Sequence, residues 1–305
     1  MPLNAKAIKT KISSVKNTRK ITKAMEMIAA AKMRKAVEAA NNSREYTKTL
    51  SSIVAQILAN SELETSSRNY LRTPDEAKKT LLVLVSSNKG LCGSYNSSVM
   101  ASARQYLSEN ELAGRVDMLA IGRKGAKFAK YNDANLLEIY EDIPDNPTVE
   151  NIGSIIMAIK NRFKSGEYRT VHVAFTEFQT SLVQKAIVLQ LLPMSIESME
   201  MFQSIAGELS VNDPIEDTHE SELIFEPSAA EVLDYSLERV LEAQILQVFL
   251  ESLASEHSAR MIAMKNASDA ASDMVDELTL EYNKSRQAAI TQEIAEISNA
   301  AEAIK

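Results

Sequence analysis

Apolar residues near both ends of the chain recur in steps of three and four. Ile8, Ile12 and Val15 are spaced four then three, and Ile21, Met25 and Ile28 repeat the pattern after a one-residue slip. Tyr46, Leu50, Ile53 and Ile57 continue it. At the far end Leu233, Leu237 and Val240 share the spacing, as do Met264, Ala267, Ala271, Met274 and Leu278, and then Ile290, Ile294 and Ile297. A narrow stripe with this period is a coiled-coil seam. The interrupted phase predicts a gently wound pair and not a strict heptad zipper. Alanines at 267, 270 and 271 let two helix backbones approach closely. Neither Gly nor Pro occurs from Leu3 to Thr73 or from Ser228 to Lys305, runs of 71 and 78 residues, so long helices are expected over 1–73 and 228–305. The second run, at ~1.5 Å per residue, reaches about 115 Å. Pro227 and Ser228, with Glu231 three residues on, form a helix-start signal of the capping-box type.

Between the helices the period changes. Thr80 to Ser86 is a short Val/Leu run bounded by Asn88 and Gly90, which predicts a buried strand. Val116 to Ile121, closed by Gly122 and Gly125, predicts a second, Leu136 to Tyr140 a third and Thr170 to Thr176 a fourth, while Ala186 to Leu192 is a candidate fifth. Ser97 to Ser108 and Ile152 to Lys164 predict helices. Strands alternating with helices imply βαβ units and a mainly parallel sheet. The expected fold is therefore α/β with a long antiparallel coiled coil: N- and C-terminal helices paired around a Rossmann-like insert. The boundaries fall at 74–207 for the insert and 208–227 for an acidic linker carrying Asp213, Glu216 and Asp217.

The net charge of −7 conceals a polarity. Residues 1–58 carry 12 Lys/Arg against three acids, residues 59–227 carry 16 against 24, and residues 228–305 carry six against 14. Oppositely charged helices favour side-by-side pairing, although each exposed contact adds little. Lys6 to Lys35 leave a dense basic patch for an acidic partner. The acidic total and the lack of base-stacking aromatics there argue against nucleic acid. No apolar run is long enough for a transmembrane helix. Lys6, Lys9, Lys11 and Lys16 interrupt any signal-peptide core, and Glu26 with continuous helical patterning argues against a transit peptide. One cysteine, Cys92, excludes an intrachain disulfide.

A catalytic constellation is missing. The loop Ser87 to Ser94 follows the first strand, where phosphate is often cradled. It matches neither G-x-G-x-x-G nor G-x-x-x-x-G-K-[ST], so a tight strand-to-helix turn is the simpler reading. His172, His219 and His257 have no metal-ligand spacing with one another or with Cys92. His172 is expected to be packed or at the surface, and Cys92 to be a small buried residue. No cofactor is implied. The patterning alone also suits a non-catalytic coiled-coil scaffold.

Three stretches carry a family resemblance. Ile12 to Lys35 (ISSVKNTRKITKAMEMIAAAKMRK) resembles the N-terminal helix of the gamma subunit of the rotary F-type ATP synthase. The loop Lys89-Gly90-Leu91-Cys92-Gly93 resembles that family's turn after the first strand. Leu253 to Ala267 (LASEHSARMIAMKNA) and Tyr282 to Ile294 (YNKSRQAAITQEI) resemble its C-terminal helix. The resemblance implies a central rotor shaft without an active site of its own, coupling ion flow through a membrane ring of c subunits to the catalytic β subunits. Its implied partners are the α and β subunits of the catalytic hexamer, the epsilon subunit and the c ring. Its implied place is the cytoplasmic face of the bacterial inner membrane, held there peripherally. The same resemblance marks Lys20, Lys23, Met25, Lys32 and Arg34 on the first helix, and Arg260, Arg286, Gln287 and Thr291 on the second, as subunit-contact residues. Lys89, Gly90, Cys92 and Gly93 form the turn of the insert.

Overall fold

The structure, a computed structural model, describes residues 5–60, 70–71, 79–109, 115–131, 134–195, 198–199, 201–202, 226 and 228–303. In chain order the elements are α1 (Ala5–Asn60), β1 (Lys79–Val85), α2 (Tyr95–Glu109), β2 (Val116–Ile121), α3 (Arg123–Tyr131), β3 (Asn135–Tyr140), α4 (Gly153–Lys164), β4 (Tyr168–Phe178), β5 (Gln184–Leu192) and α5 (Ala229–Ala303). They divide into two compact units, residues up to Ala30 with those from Arg260 onward, and Ala31–Ala259.

The terminal helices pack together as an antiparallel pair, and their register is stricter than expected. In α1 the buried Ile8, Ala29, Ala36, Ala40, Thr47, Val54 and Ile57 and the half-buried Ile12, Val15 and Thr22 fall on one repeat of alternating steps of four and three, with Ser51 buried off it and Arg19 exposed on it. In α5 the buried Met264, Ser268, Ala271, Val275 and Leu278 and the half-buried Tyr282 and Ser285 do the same. A sustained seven-residue repeat imposes a left-handed supercoil. The expected phase slip is therefore corrected. Ile21, Ile28, Tyr46, Ile53 and Met274 are exposed, as is Ala267. Beside Ile21, Ile28, Tyr46 and Ala267 the seam slots hold Thr22, Ala29, Thr47 and Ser268, small side chains that a search for large apolar residues passes over, and beside Ile53 and Met274 they hold Val54 and Val275. Ile290, Ile294 and Ile297 are likewise not seam residues, being 47%, 62% and 70% exposed.

In the larger unit the sheet order is β3-β2-β1-β4-β5, parallel throughout except for the antiparallel β4–β5 hairpin. Strand alternation splits the core in two. Leu81, Val83 and Val85 face Ile155 and Ile159 of α4, Val54 and Ile57 of α1, and Leu237 and Leu241 of α5. Leu82 and Leu84 face Val99 and Ala103 of α2 and Phe128 and Ala129 of α3. Burial on both faces is why β1 presents an unbroken apolar run. All five expected strands form. Helix α3 was not expected, because Gly122 and Gly125 suggested a loop. The first helix does not reach residue 73, since Tyr70 and Leu71 form a turn. The predicted helix start holds, with the Glu231 N–H donating to Ser228 Oγ at 3.3 Å. The expected acidic linker 208–227 lies outside the described residues apart from Glu226.

A buried acid knits the N-terminal edge of the sheet. Asp117 accepts from the Tyr168 hydroxyl at 2.7 Å, Asn135 Nδ2 at 2.8 Å and Lys79 Nζ at 3.3 Å, which joins four strands. Burial pushes the Asp117 carboxyl up, but these hydrogen bonds and the Lys79 charge outweigh it and hold the group below its ordinary value. A lowered folded-state pKa contributes stability that is full above the unfolded pKa and is lost as pH falls through the folded one. Asp117→Ala also strands the buried Tyr168 hydroxyl, so it costs about 2 kcal/mol or more. Urea unfolding of the purified chain checks this, and Asp117→Asn flattens the acid-side loss of stability.

Candidate functional site

The strict seam decides which parts of α1 remain outside. Lys9, Lys16, Lys20 and Lys23 each follow a seam position by one residue, so they line up along one flank of the helix. With Arg19 and Met27 they border an open groove of about 830 Å³ that has no acidic residue in its lining. Ile21, Met27 and Ile28 stand 61%, 66% and 57% exposed on the same helix. Apolar and cationic groups exposed together in this way mark an interaction surface. In α5, every residue from Arg286 to Ala300 is exposed, and Ile290, Ile294 and Ile297 add apolar area to that end.

The expected contact residues separate into groups. Lys20 and Lys23 are brought together in the basic groove, and Lys23 also pairs with Glu26 at 2.9 Å, one helical turn on. Met25 is half-buried towards the seam. Arg260 is half-buried, while Arg286, Gln287 and Thr291 are exposed, the Thr291 hydroxyl donating to the Gln287 carbonyl at 2.9 Å. Lys32 and Arg34 lie in the larger unit, where Lys32 pairs with Asp145 at 2.8 Å. The spacing of large apolar residues puts Ile21 and Ile28 in the seam, but the structure puts Thr22 and Ala29 there, and the small residues on the heptad are the signal that separates the two.

The loop after β1 is tied to itself and to its neighbours, with Asn88 Nδ2 donating to the Glu141 carbonyl at 2.6 Å and the Arg123 N–H to Asn88 Oδ1 at 3.2 Å. The Ser87 N–H donates to Asn96 Oδ1 at 3.0 Å and the Ser87 hydroxyl to the Lys89 carbonyl at 2.6 Å, while Asn96 Nδ2 lies 3.1 Å from Cys92 Sγ. Cys92 is buried and its thiol is free. Lys89 and Gly93 are exposed, Gly90 is half-buried, and Leu91 protrudes, 64% exposed at φ 62°. The geometry is a tight turn and not a phosphate cradle. His172 packs on Tyr106 with ring centroids 4.8 Å apart, and burial pulls its pKa down to about 4, so it is neutral near pH 7. Among the described residues no group of three or more His, Cys, Asp or Glu is placed to hold a metal, and no helix is long and apolar enough to cross a membrane.

Comparison with known proteins bears on this surface. The family model described as ATP synthase matches residues 4–304. The ATP synthase gamma chain of Ruthia magnifica subsp. Calyptogena magnifica is 38% identical over 302 residues, covering 98% of this chain and 99% of the relative. That of Bordetella petrii is 40% identical over 301 residues, again covering 98% and 99%. Among solved structures, a chain of the central stalk and c-ring of the Tetrahymena thermophila mitochondrial ATP synthase matches with TM-score 0.58 and 24% identity, over 81% of this chain and 99% of that one. A chain of the Euglena gracilis mitochondrial ATP synthase in rotational state 3 matches with TM-score 0.62 and 18% identity, over 98% and 94%. The structural likenesses support the fold, and the near-full-length sequence matches settle the family: this chain belongs to the gamma chains of ATP synthase.

Proposed function

We propose that this chain is the rotating central shaft of an F-type ATP synthase. In this reading, ion flow through a ring of c subunits turns the chain, and its asymmetric surface drives the β subunits of an α/β hexamer through their binding states. The epsilon subunit turns with it. The chain performs no chemistry itself and sits at the cytoplasmic face of the bacterial inner membrane, held by its partners. The observation that carries the reading is the strict-heptad pair whose outer surface mixes cationic and apolar side chains, in a chain of gamma-chain sequence. A pair built only as a scaffold has no need of Ile21, Ile28, Ile290, Ile294 and Ile297 in solvent. Affinity capture of the tagged chain from membranes tests the reading directly: an ATP-hydrolysing assembly that pumps ions in vesicles is expected, and recovery of the chain without one favours the scaffold.

In the same reading Lys20, Lys23 and Met25, with Arg260, Arg286, Gln287 and Thr291, meet the hexamer. Lys32 and Arg34 are subunit-contact residues on the larger unit, and Lys89–Gly93 form the turn of its insert. Reversing Lys9, Lys16, Lys20 and Lys23 to Glu together is expected to lower ATP-driven proton pumping about tenfold, the equivalent of ~1.4 kcal/mol. Charges confined at an interface carry the larger effects, so this loss is expected to exceed that from reversing the four acids Glu208, Asp213, Glu216 and Asp217.

A further inference from the structure

Strand β4 outruns its neighbour. The β1–β4 ladder ends at the Leu84–Ala174 pair, whereas β4 continues to Phe178 alongside β5. The edge that β1 leaves open would carry unsatisfied backbone groups in the interior. Side chains from the two long helices occupy it. The Ser255 hydroxyl donates to the Thr176 carbonyl at 3.2 Å. At Phe178, the N–H donates to Glu251 Oε2 at 3.0 Å, and the carbonyl accepts from Arg44 Nη2 at 3.1 Å. Arg44 and Glu251 bind each other, with Nε and Nη2 2.8 and 2.7 Å from Oε1, and Gln247 Nε2 reaches the same oxygen at 2.6 Å. Glu251 and Ser255 are fully buried.

We infer that Arg44 and Glu251 key the α/β body to the helix pair against rotation and sliding, and that they are positioning residues for energy coupling. The inference rests on the shaft reading above. Apolar packing such as Leu237 and Ile245 against the sheet is non-directional and accepts small slips. A charge-assisted pair that also closes both backbone groups of one strand residue has a single satisfied arrangement. Arg44 comes from α1, Glu251 from α5 and Phe178 from the sheet, so one residue triplet fixes three elements in register. Without that register, torque applied to the body is spent on slip before it reaches the helix pair.

The test is the reconstituted holoenzyme carrying Glu251→Gln or Arg44→Lys. Glu251→Gln keeps the shape but turns an amide donor towards donors, and Arg44→Lys keeps the charge but loses the two-pronged geometry. Protons pumped per ATP hydrolysed are expected to fall about threefold or more while hydrolysis continues, because both residues belong to one coupled network. A role confined to folding would lower the melting temperature and leave that ratio intact. An unchanged ratio in both assembled variants overturns the proposal. If Glu251→Gln does not assemble, the ratio in Arg44→Lys decides alone, and if neither assembles, Ser255→Ala decides on the same ratio. Absence of pumping by the wild-type assembly would instead strike the shaft reading.

Discussion

Ala271→Pro is expected to reduce proton-driven ATP synthesis by at least about tenfold in an enzyme that still assembles, while Ala271→Ser remains near wild type. The residue is buried in the heptad seam of α5, inside a helix with no Gly or Pro from Ala229 to Ala303. Proline removes an internal hydrogen bond, clashes with the carbonyl four residues back and kinks the helix at a cost of ~3 kcal/mol or more. Serine is tolerated in this seam, since Ser268 already occupies the preceding slot. The core of the larger unit lies between Val54 and Phe249, so the α/β body keeps its fold in the proline variant. Synthesis in reconstituted vesicles, with assembly checked on native gels, gives the answer. Normal synthesis by Ala271→Pro would show that an unbroken second helix is dispensable.

The sequence made the architecture plain because the two periods differ so clearly. Long runs without Gly or Pro located α1 and α5, and short Val/Leu runs located the strands to within about two residues, since burial on both faces leaves no polar alternation to confuse them. The phase of the coiled coil was harder to read. Ile21 and Ile28 are large and apolar and so looked like seam residues, but the seam at that level is made of Thr22 and Ala29. Size tracks the interior only in a chain that buries all its large residues in itself, and a surface destined for partners breaks that link. The expectation that Arg286 and Gln287 are contact residues came from the family motif, because an exposed polar residue on a helix has no physical signature of its own. Arg44 and Glu251 left no trace in the pattern, as their pairing is 207 residues apart and depends on where β1 stops.

Gly122→Ala is expected to unfold the larger unit. Gly122 closes β2 at φ 82°, and a Cβ there would lie 2.3 Å from the Ser86 carbonyl oxygen and 2.9 Å from the carbonyl carbons of Ser86 and Ser87. Those are backbone atoms, so no rotamer change relieves the clash. Ser86 is itself fixed, its N–H and hydroxyl both donating to the Ile121 carbonyl at 2.9 and 2.8 Å and its oxygen accepting from the Gly125 N–H at 2.7 Å. Moving β1 away from Gly122 breaks this set and shifts the strand at the centre of the sheet. The cost is therefore expected to exceed about 4 kcal/mol, a large share of the stability of a domain. Gly166→Ala supplies the contrast. Its φ of 78° is as unfavourable, but a Cβ there meets nothing within 4 Å. Only the left-handed strain of about 1–2 kcal/mol remains. Urea unfolding of the two purified variants separates conformational strain from steric collision: Gly166→Ala retains a cooperative transition at lower denaturant, and Gly122→Ala shows none. A cooperative transition of near wild-type midpoint in Gly122→Ala would mean that β1 can shift away from Gly122 at little cost, and that the Ser86–Ile121–Gly125 hydrogen bonds do not hold it in place.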